Sequence, residues 1–137
     1  MEQKDYLLRE IEKIGMVLRA ILDKLFDNTG NPALTIESRF AQTSEQLLDD
    51  TGFDLTRYLT LEETASQQYL AQYRGMNATN IELLAEVLFH SGMLEQAERR
   101  RVFLTRALQL FQLCIRTDKT FSFEREEKIN RIENMLQ

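Results

Sequence analysis

Turn-forming residues are scarce in this chain. Five glycines and one proline stand among 137 residues, where average usage would supply about sixteen. Folds made of many short strands need such residues every few positions, so a strand-rich architecture is excluded and helices are expected. A single cysteine rules out an internal disulfide, and a single histidine rules out most zinc and di-iron ligand sets. The formal charge of −5 argues against a general binder of nucleic-acid backbones. No window approaches the roughly 18 apolar residues of a membrane-spanning helix. The opening MEQKDYLLREIEKIG is charged throughout and lacks the apolar stretch of a signal peptide. Together with a lone Cys114 set between Leu113 and Ile115, this makes a reducing, cytoplasmic setting the expectation.

The length suits one domain, residues 1–137, that can bury roughly two-thirds of its unfolded surface without disulfide or metal staples. Leu7, Ile11, Ile14, Leu18, Ile21 and Leu25 recur at alternating spacings of four and three, the seam of an amphipathic helix over about Lys4 to Asp27. That seam serves either the core or self-association with a second copy. Gly15 lies inside it, and its unfavourable helix propensity implies close approach of a neighbouring helix. Gly30, Asn31 and Pro32 should end this helix and start another reaching Asp50, with Ile36, Phe40, Leu47 and Leu48 on one side.

Gly52 breaks the chain again, and Asp54 is placed to cap a short turn carrying Leu55, Tyr58 and Leu59. Thr60 with Glu63 and Thr79 with Glu82 match capping boxes that would open two further helices; Asn77 also reads as a helix start. The first of these helices carries Tyr69 and Tyr73, and the second runs to a stop at Gly92. A long helix should follow from about Leu94 to Arg116. Ser122 then caps a last helix with Ile129, Ile132 and Leu136 inward, and Phe121 and Phe123 are expected to anchor that cap to the core. Residues 1–75 carry 8 basic and 13 acidic side chains, against 9 and 9 in residues 76–137. The acidic excess therefore belongs to the N-terminal helices.

The segment IELLAEVLFHSGMLEQAERRRVFLTRALQLF resembles a tetratricopeptide-type helical hairpin. Ala85, Gly92 and Ala97 stand at the intervals where such repeats place small residues, with Leu84 and Leu88 at apolar positions. Arg101 and Leu104 occupy positions that are usually aromatic and alanine. The whole chain also resembles a group of small uncharacterised bacterial all-helical proteins. Asp5-Tyr6-Leu7-Leu8-Arg9 with Ile11-Glu12, and Asp54-Leu55 through Leu59, Leu61, Glu62 and Glu63, carry that likeness. The resemblance implies architecture and brings no catalytic residue with it.

Side chains capable of chemistry are dispersed. His90 follows Glu86 by one helical turn, close enough for an ion pair. The adjacent pairs Asp49-Asp50, Glu62-Glu63 and Glu126-Glu127 diverge on a helix and form no acid/base dyad alone. Cys114 has no base nearby in sequence. No phosphate-binding glycine loop or nucleophile elbow is present. Arg99-Arg100-Arg101, with Arg106 nearby, is the one basic cluster, and Glu95 and Glu98 are on hand to pair with it. Repeat geometry would turn Arg101 into the helical groove, where Glu82, Glu86 or a ligand carboxylate could meet it. Tyr69 and Tyr73, one turn apart, suit a core edge or an interface.

The expectation is an all-α fold of five or six helices in antiparallel hairpins, with residues 1–75 preceding a tetratricopeptide-like hairpin and capping helix in 76–137. Its function would be non-catalytic protein–protein interaction or scaffolding, with no catalytic, cofactor or metal site. Tyr69, Tyr73, Glu86, His90 and Arg101 would line an interaction groove for a protein partner. Self-association through the first helix is also expected, and neither nucleic acid nor membrane is. The alternative is a small-ligand sensor or enzyme with a pocket between hairpins near Arg101.

Overall fold

The computed structural model describes residues 2–27 and 35–137. Among them the chain forms seven helices and no strand: α1 (Glu2–Asp27), α2 (Ile36–Thr51), α3 (Leu55–Thr60), α4 (Glu63–Ala71), α5 (Ala78–Leu94), α6 (Ala97–Asp118) and α7 (Phe123–Leu136). The count exceeds five or six because the short turn after Asp54 closes into α3. The expected caps at Gly30 and Asn31, Pro32 and the side chain of Ile36 lie outside the described residues; α2 begins at its own N-cap, Thr35, whose hydroxyl accepts from the Ser38 amide.

Helix α5 is the centre of the fold. Leu84, Ala85, Val87 and Leu88 are all fully buried, an arc of about 160° by helix spacing that is wider than one neighbouring helix covers. α6 packs along it most extensively, and α1 covers another flank. Gly92, near the end of α5, lies against Phe103 and Leu104 near the start of α6. At the other end the Cys114 thiol reaches the Ala78 carbonyl at 3.5 Å. The two helices therefore run antiparallel.

Gly92 does not end α5, which continues to Leu94. A Cβ there would sit 3.0 Å from both Phe103 Cβ and Leu104 Cδ2, so glycine serves the helix crossing instead of a turn. The seam of α1 packs inside the chain: Ile14, Leu18, Ile21 and Leu25 are buried. Gly15 has the close neighbour its position implied, with Asn80 Oδ1 at 3.0 Å from a would-be Cβ. Asn80 is itself held by bonds from its amide nitrogen to the carbonyls of Ile11 (2.9 Å) and Gly75 (2.8 Å). On α2 the inward residues are Thr43 and Leu47, while Leu48 faces outward.

Several expected caps are found. Gly52 is left-handed (φ 81°) at the end of α2, Asp54 accepts from the Arg57 amide, and Ser122 accepts from the Arg125 amide. Two are corrected. Thr60 opens no helix; its hydroxyl bonds back to the Arg57 carbonyl, and α4 begins after Glu62 without a side-chain cap. Asn77, not Thr79, caps α5 by accepting from the Asn80 amide. Phe121 and Phe123 are also not core anchors. They are 69% and 82% exposed, their rings meeting edge to face at 4.8 Å.

Candidate functional site

Phe53, fully buried between α2 and α3, is the hub around which the tyrosines gather. Its ring lies 5.5, 5.3 and 5.0 Å from those of Tyr58, Tyr69 and Tyr73. The Asp54 amide donates to the Tyr69 hydroxyl at 3.0 Å, and the Tyr73 hydroxyl donates to the Gly52 carbonyl at 2.9 Å. Because the Tyr73 proton is committed to Gly52, the 3.0 Å contact between the two hydroxyls has Tyr69 as donor. Burial, reinforced by that bond, pushes the Tyr73 hydroxyl up to about 12. Tyr69 is buried and serves the core, whereas Tyr73 is half-buried and reaches a surface.

That surface is an open cleft of about 380 Å³ between α4, the link to α5, and α6. Leu70, Met76 and Ile81 form a buried apolar floor, with Leu113 half-buried beside them and Tyr73 at one edge. Arg74 and Arg116 also line it and are exposed. Neither makes an ion pair among the described residues. An apolar floor between two available guanidinium groups suits a ligand that is apolar with flanking carboxylates.

Glu86 and His90 lie together but at a different place, where α5 meets α7 and the end of α1. His90 Nε2 is 3.2 Å from Glu86 Oε2, and Lys128 donates to the other carboxylate oxygen. The His90 ring packs edge-on against Phe26 at 4.8 Å. Burial works to raise the Glu86 carboxyl, but the hydrogen bonds and charges of His90 and Lys128 outweigh it and hold the group below its ordinary value.

Arg101 joins neither group. It is exposed on α6, and the acids proposed to meet it are engaged by α7. The buried arginines are Arg106 and Arg125, 8% and 4% exposed. Arg125 donates from Nε and Nη2 to the two oxygens of Glu82, each at 3.0 Å, and also reaches Asp118 at 2.9 Å and the Thr120 carbonyl at 3.3 Å. The hydrogen bond to Glu82 is the chief cause that raises the guanidinium's already high pKa. The Thr120 amide and Arg125 together hold the Asp118 carboxyl below its ordinary value.

Among the described residues Arg106 has neutral partners only: the Ser66 hydroxyl and Gln109 amide oxygen at 2.8 Å, the Leu61 carbonyl, and the face of the Tyr58 ring. It ties the α3–α4 link to α6. Burial raises Tyr58 above its ordinary value against the pull of Arg106.

The remaining basic cluster is structural in its first two members. Arg99 pairs with Glu95 at 3.1 Å and lies over Phe40 and Phe103; Arg100 donates to the carbonyls of Met93 and Glu95 at the end of α5. Burial pushes the Cys114 thiol up to about 12, which keeps it protonated and unreactive at neutral pH. Among the described residues, no three His, Cys, Asp or Glu side chains gather as a metal site, and no helix is long and apolar enough to cross a membrane.

The arginines that matter were findable by spacing. Arg106 stands three residues after Phe103 and four before Leu110, and Arg125 four before Ile129 and seven before Ile132; both therefore lie on buried stripes. The cleft had no such signal, since its walls come from separate helices. Compared with known proteins, the chain matches no family model, no curated protein and no solved structure.

Proposed function

We propose that this chain is a non-catalytic interaction module, its C-terminal hairpin tetratricopeptide-like, that seats a short partner segment in the cleft beside Tyr73. One observation carries the reading: an apolar floor of Leu70, Met76 and Ile81 lies between Arg74 and Arg116, both exposed and without ion pairs among the described residues. The partner segment is one whose apolar side chains are flanked by Asp or Glu. The Tyr69–Tyr73 hydrogen bonds brace one wall of the cleft, so little ordering is needed on binding, which favours affinity.

A displayed library of random peptides tests the reading. Enrichment of sequences pairing a large apolar residue with acidic neighbours is expected, lost when Arg74 and Arg116 are both changed to Glu. No enrichment, or enrichment indifferent to that double change, overturns it. The cleft volume also lies within the ~300–1,000 Å³ of small-molecule sites. A panel of medium-chain carboxylic acids therefore forms a second arm, and binding there without peptide enrichment would assign the same chemistry to a small ligand.

A further inference from the structure

The turn between α6 and α7 holds two phenylalanine rings out in water, and its hydrogen bonds keep them there. Phe121 and Phe123 are 69% and 82% exposed and meet edge to face. Lys119 forms the left-handed cap of α6, the Thr120 amide donates to Asp118, and Ser122 caps α7. The buried Arg125 donates to the Thr120 carbonyl while it grips Glu82 and Asp118. Rings carried on a braced turn lose little freedom when a partner covers them. The free charge beside Phe123 is acidic. Glu124 and Glu127 are exposed and make no ion pair among the described residues. The cations of α7 are engaged inward: Arg125 with its two carboxylates, Lys128 with Glu86, and Arg131 over the Phe89 ring. Lys119 lines a separate open pocket with Phe121 and Glu126, and Phe123, Glu124 and Glu127 are not among that pocket's walls.

An apolar ring beside two carboxylates is what the cleft beside Tyr73 takes on the reading above, on which this step rests. We infer that the cleft of one copy receives the Phe121–Phe123 turn of a second copy, Phe123 over Leu70 and Ile81 with Glu124 and Glu127 toward Arg74 and Arg116. Within one copy the turn stays out of the cleft: none of its residues lines it, and the Arg125 bonds fix the turn where it is. A two-fold pair uses one self-complementary patch, so turn and cleft must stand at the same end of the molecule. They do. Ile81 floors the cleft while its neighbour Glu82 holds Arg125, and Arg116 on the cleft wall precedes Phe121 by five residues. A buried phenyl ring removes about 150–250 Å² from water. Four rings in a reciprocal pair, with the cleft surface they meet, therefore approach the lower end of the roughly 1,200–2,000 Å² that a stable pair buries. A lipid surface fits less well, because anionic membranes attract cations and the free charge beside Phe123 is negative. Exposed ion pairs are weak individually, so the association is a salt-sensitive, concentration-dependent dimer.

Sedimentation equilibrium over a wide concentration range, at low and high salt, tests it with three chains: Phe123→Ser, Glu124→Lys with Glu127→Lys, and Arg74→Glu with Arg116→Glu. All five positions are exposed, so each chain should keep the helical circular-dichroism spectrum. The wild type is expected to dimerise and each variant alone to associate at least about tenfold more weakly. An equimolar mixture of the two charge-reversed chains should recover a heterodimer, because both of its contacts again join opposite charges. A wild type that stays monomeric throughout overturns the inference, as does self-association unchanged in any variant or a mixture with no recovery. A monomer whose Phe123 instead drives binding to phosphatidylcholine vesicles also overturns it and assigns the turn to a lipid surface. A monomeric wild type that still enriches acidic–apolar peptides removes self-docking alone; a monomer that enriches none removes the cleft reading beneath it.

Discussion

The hydroxyls of Tyr69 and Tyr73 lie 3.0 Å apart in a run of hydrogen bonds that begins at the Asp54 amide and ends at the Gly52 carbonyl. The two backbone groups flank Phe53, so the pair closes a ring around the residue that plugs the α2–α3 corner. Tyr73→Phe keeps the packing and loses the bond to Gly52; a loss of about 1 kcal/mol is expected in urea unfolding. Tyr69→Phe leaves the Asp54 amide without its partner and should cost more. Gly52→Ala meets no atom within 4 Å, so its cost is the left-handed backbone alone, about 1–2 kcal/mol.

Arg125 joins α7 to α5 and to the end of α6 through two carboxylates. Arg125→Met removes the cation that Glu82 and Asp118 share; because those side chains are 32% and 27% exposed, water takes up part of the loss and about 2 kcal/mol is expected by thermal or urea unfolding. Arg125→Lys should recover little, because an ammonium cannot meet both carboxylates in a bidentate manner. Equal stability of the Lys variant and the wild type would show that charge alone suffices.

Acid should loosen the same helix. Glu86 and Asp118 are both held below their ordinary values of 4.5 and 3.8. A depressed carboxyl stabilises the fold at full strength above its unfolded value and loses that contribution as the pH falls through the folded one. Stability should therefore be level from neutrality to about pH 5 and fall below it. Glu86→Gln is expected to start lower at pH 7 and to lose less on acidification. Unfolding free energy measured from pH 7 to pH 3 checks both halves.

Gly75 is the tighter of the two glycine contacts with α1. A Cβ there would meet Ile14 and Glu10 side chains below 3.0 Å and the Glu10 backbone carbon at 3.1 Å. Gly75→Ala should destabilise by roughly 1–3 kcal/mol, since backbone cannot step aside. Gly15→Ala gains about 1 kcal/mol of helix propensity but presses on Asn80, which two carbonyls hold in place. It should come out close to neutral, and the difference between the two variants in thermal unfolding is the measurement that matters.

The sites where sequence expectation departs from the structure share a cause. Thr60 and Thr79 have the residues of a capping box, yet Thr60 is taken up as the last residue of α3, with α4 starting after Glu62, and Asn77 takes the start of α5 from Thr79. Local pattern scores each cap separately, whereas a residue already used by the preceding helix, or a better cap two positions upstream, decides where the helix starts. Gly92 looked like a stop because glycine usually is one there; at this position the opposing Phe103 and Leu104 leave no room for a side chain. Phe121 and Phe123 read as anchors from hydrophobicity, but the hydrogen-bonded turn from Asp118 to Arg125 carries them outward.

Sequence alone determined the helical class, the periodic apolar seam of α1, and the caps at Gly52, Asp54 and Ser122, because each depends on residues within a few turns of one another. Scarce glycine and proline were the first sign, and four of the five glycines lie among the described residues in positions with a defined role: a left-handed cap at Gly52 and close helix contacts at Gly15, Gly75 and Gly92. Tertiary structure alone decided which partners the buried arginines meet, and that a cleft opens beside Tyr73. Those outcomes depend on side chains such as Glu82 and Arg125, 43 residues apart, meeting in space. Helical periodicity sets the face on which a residue lies; only the packing of the helices sets what that face meets.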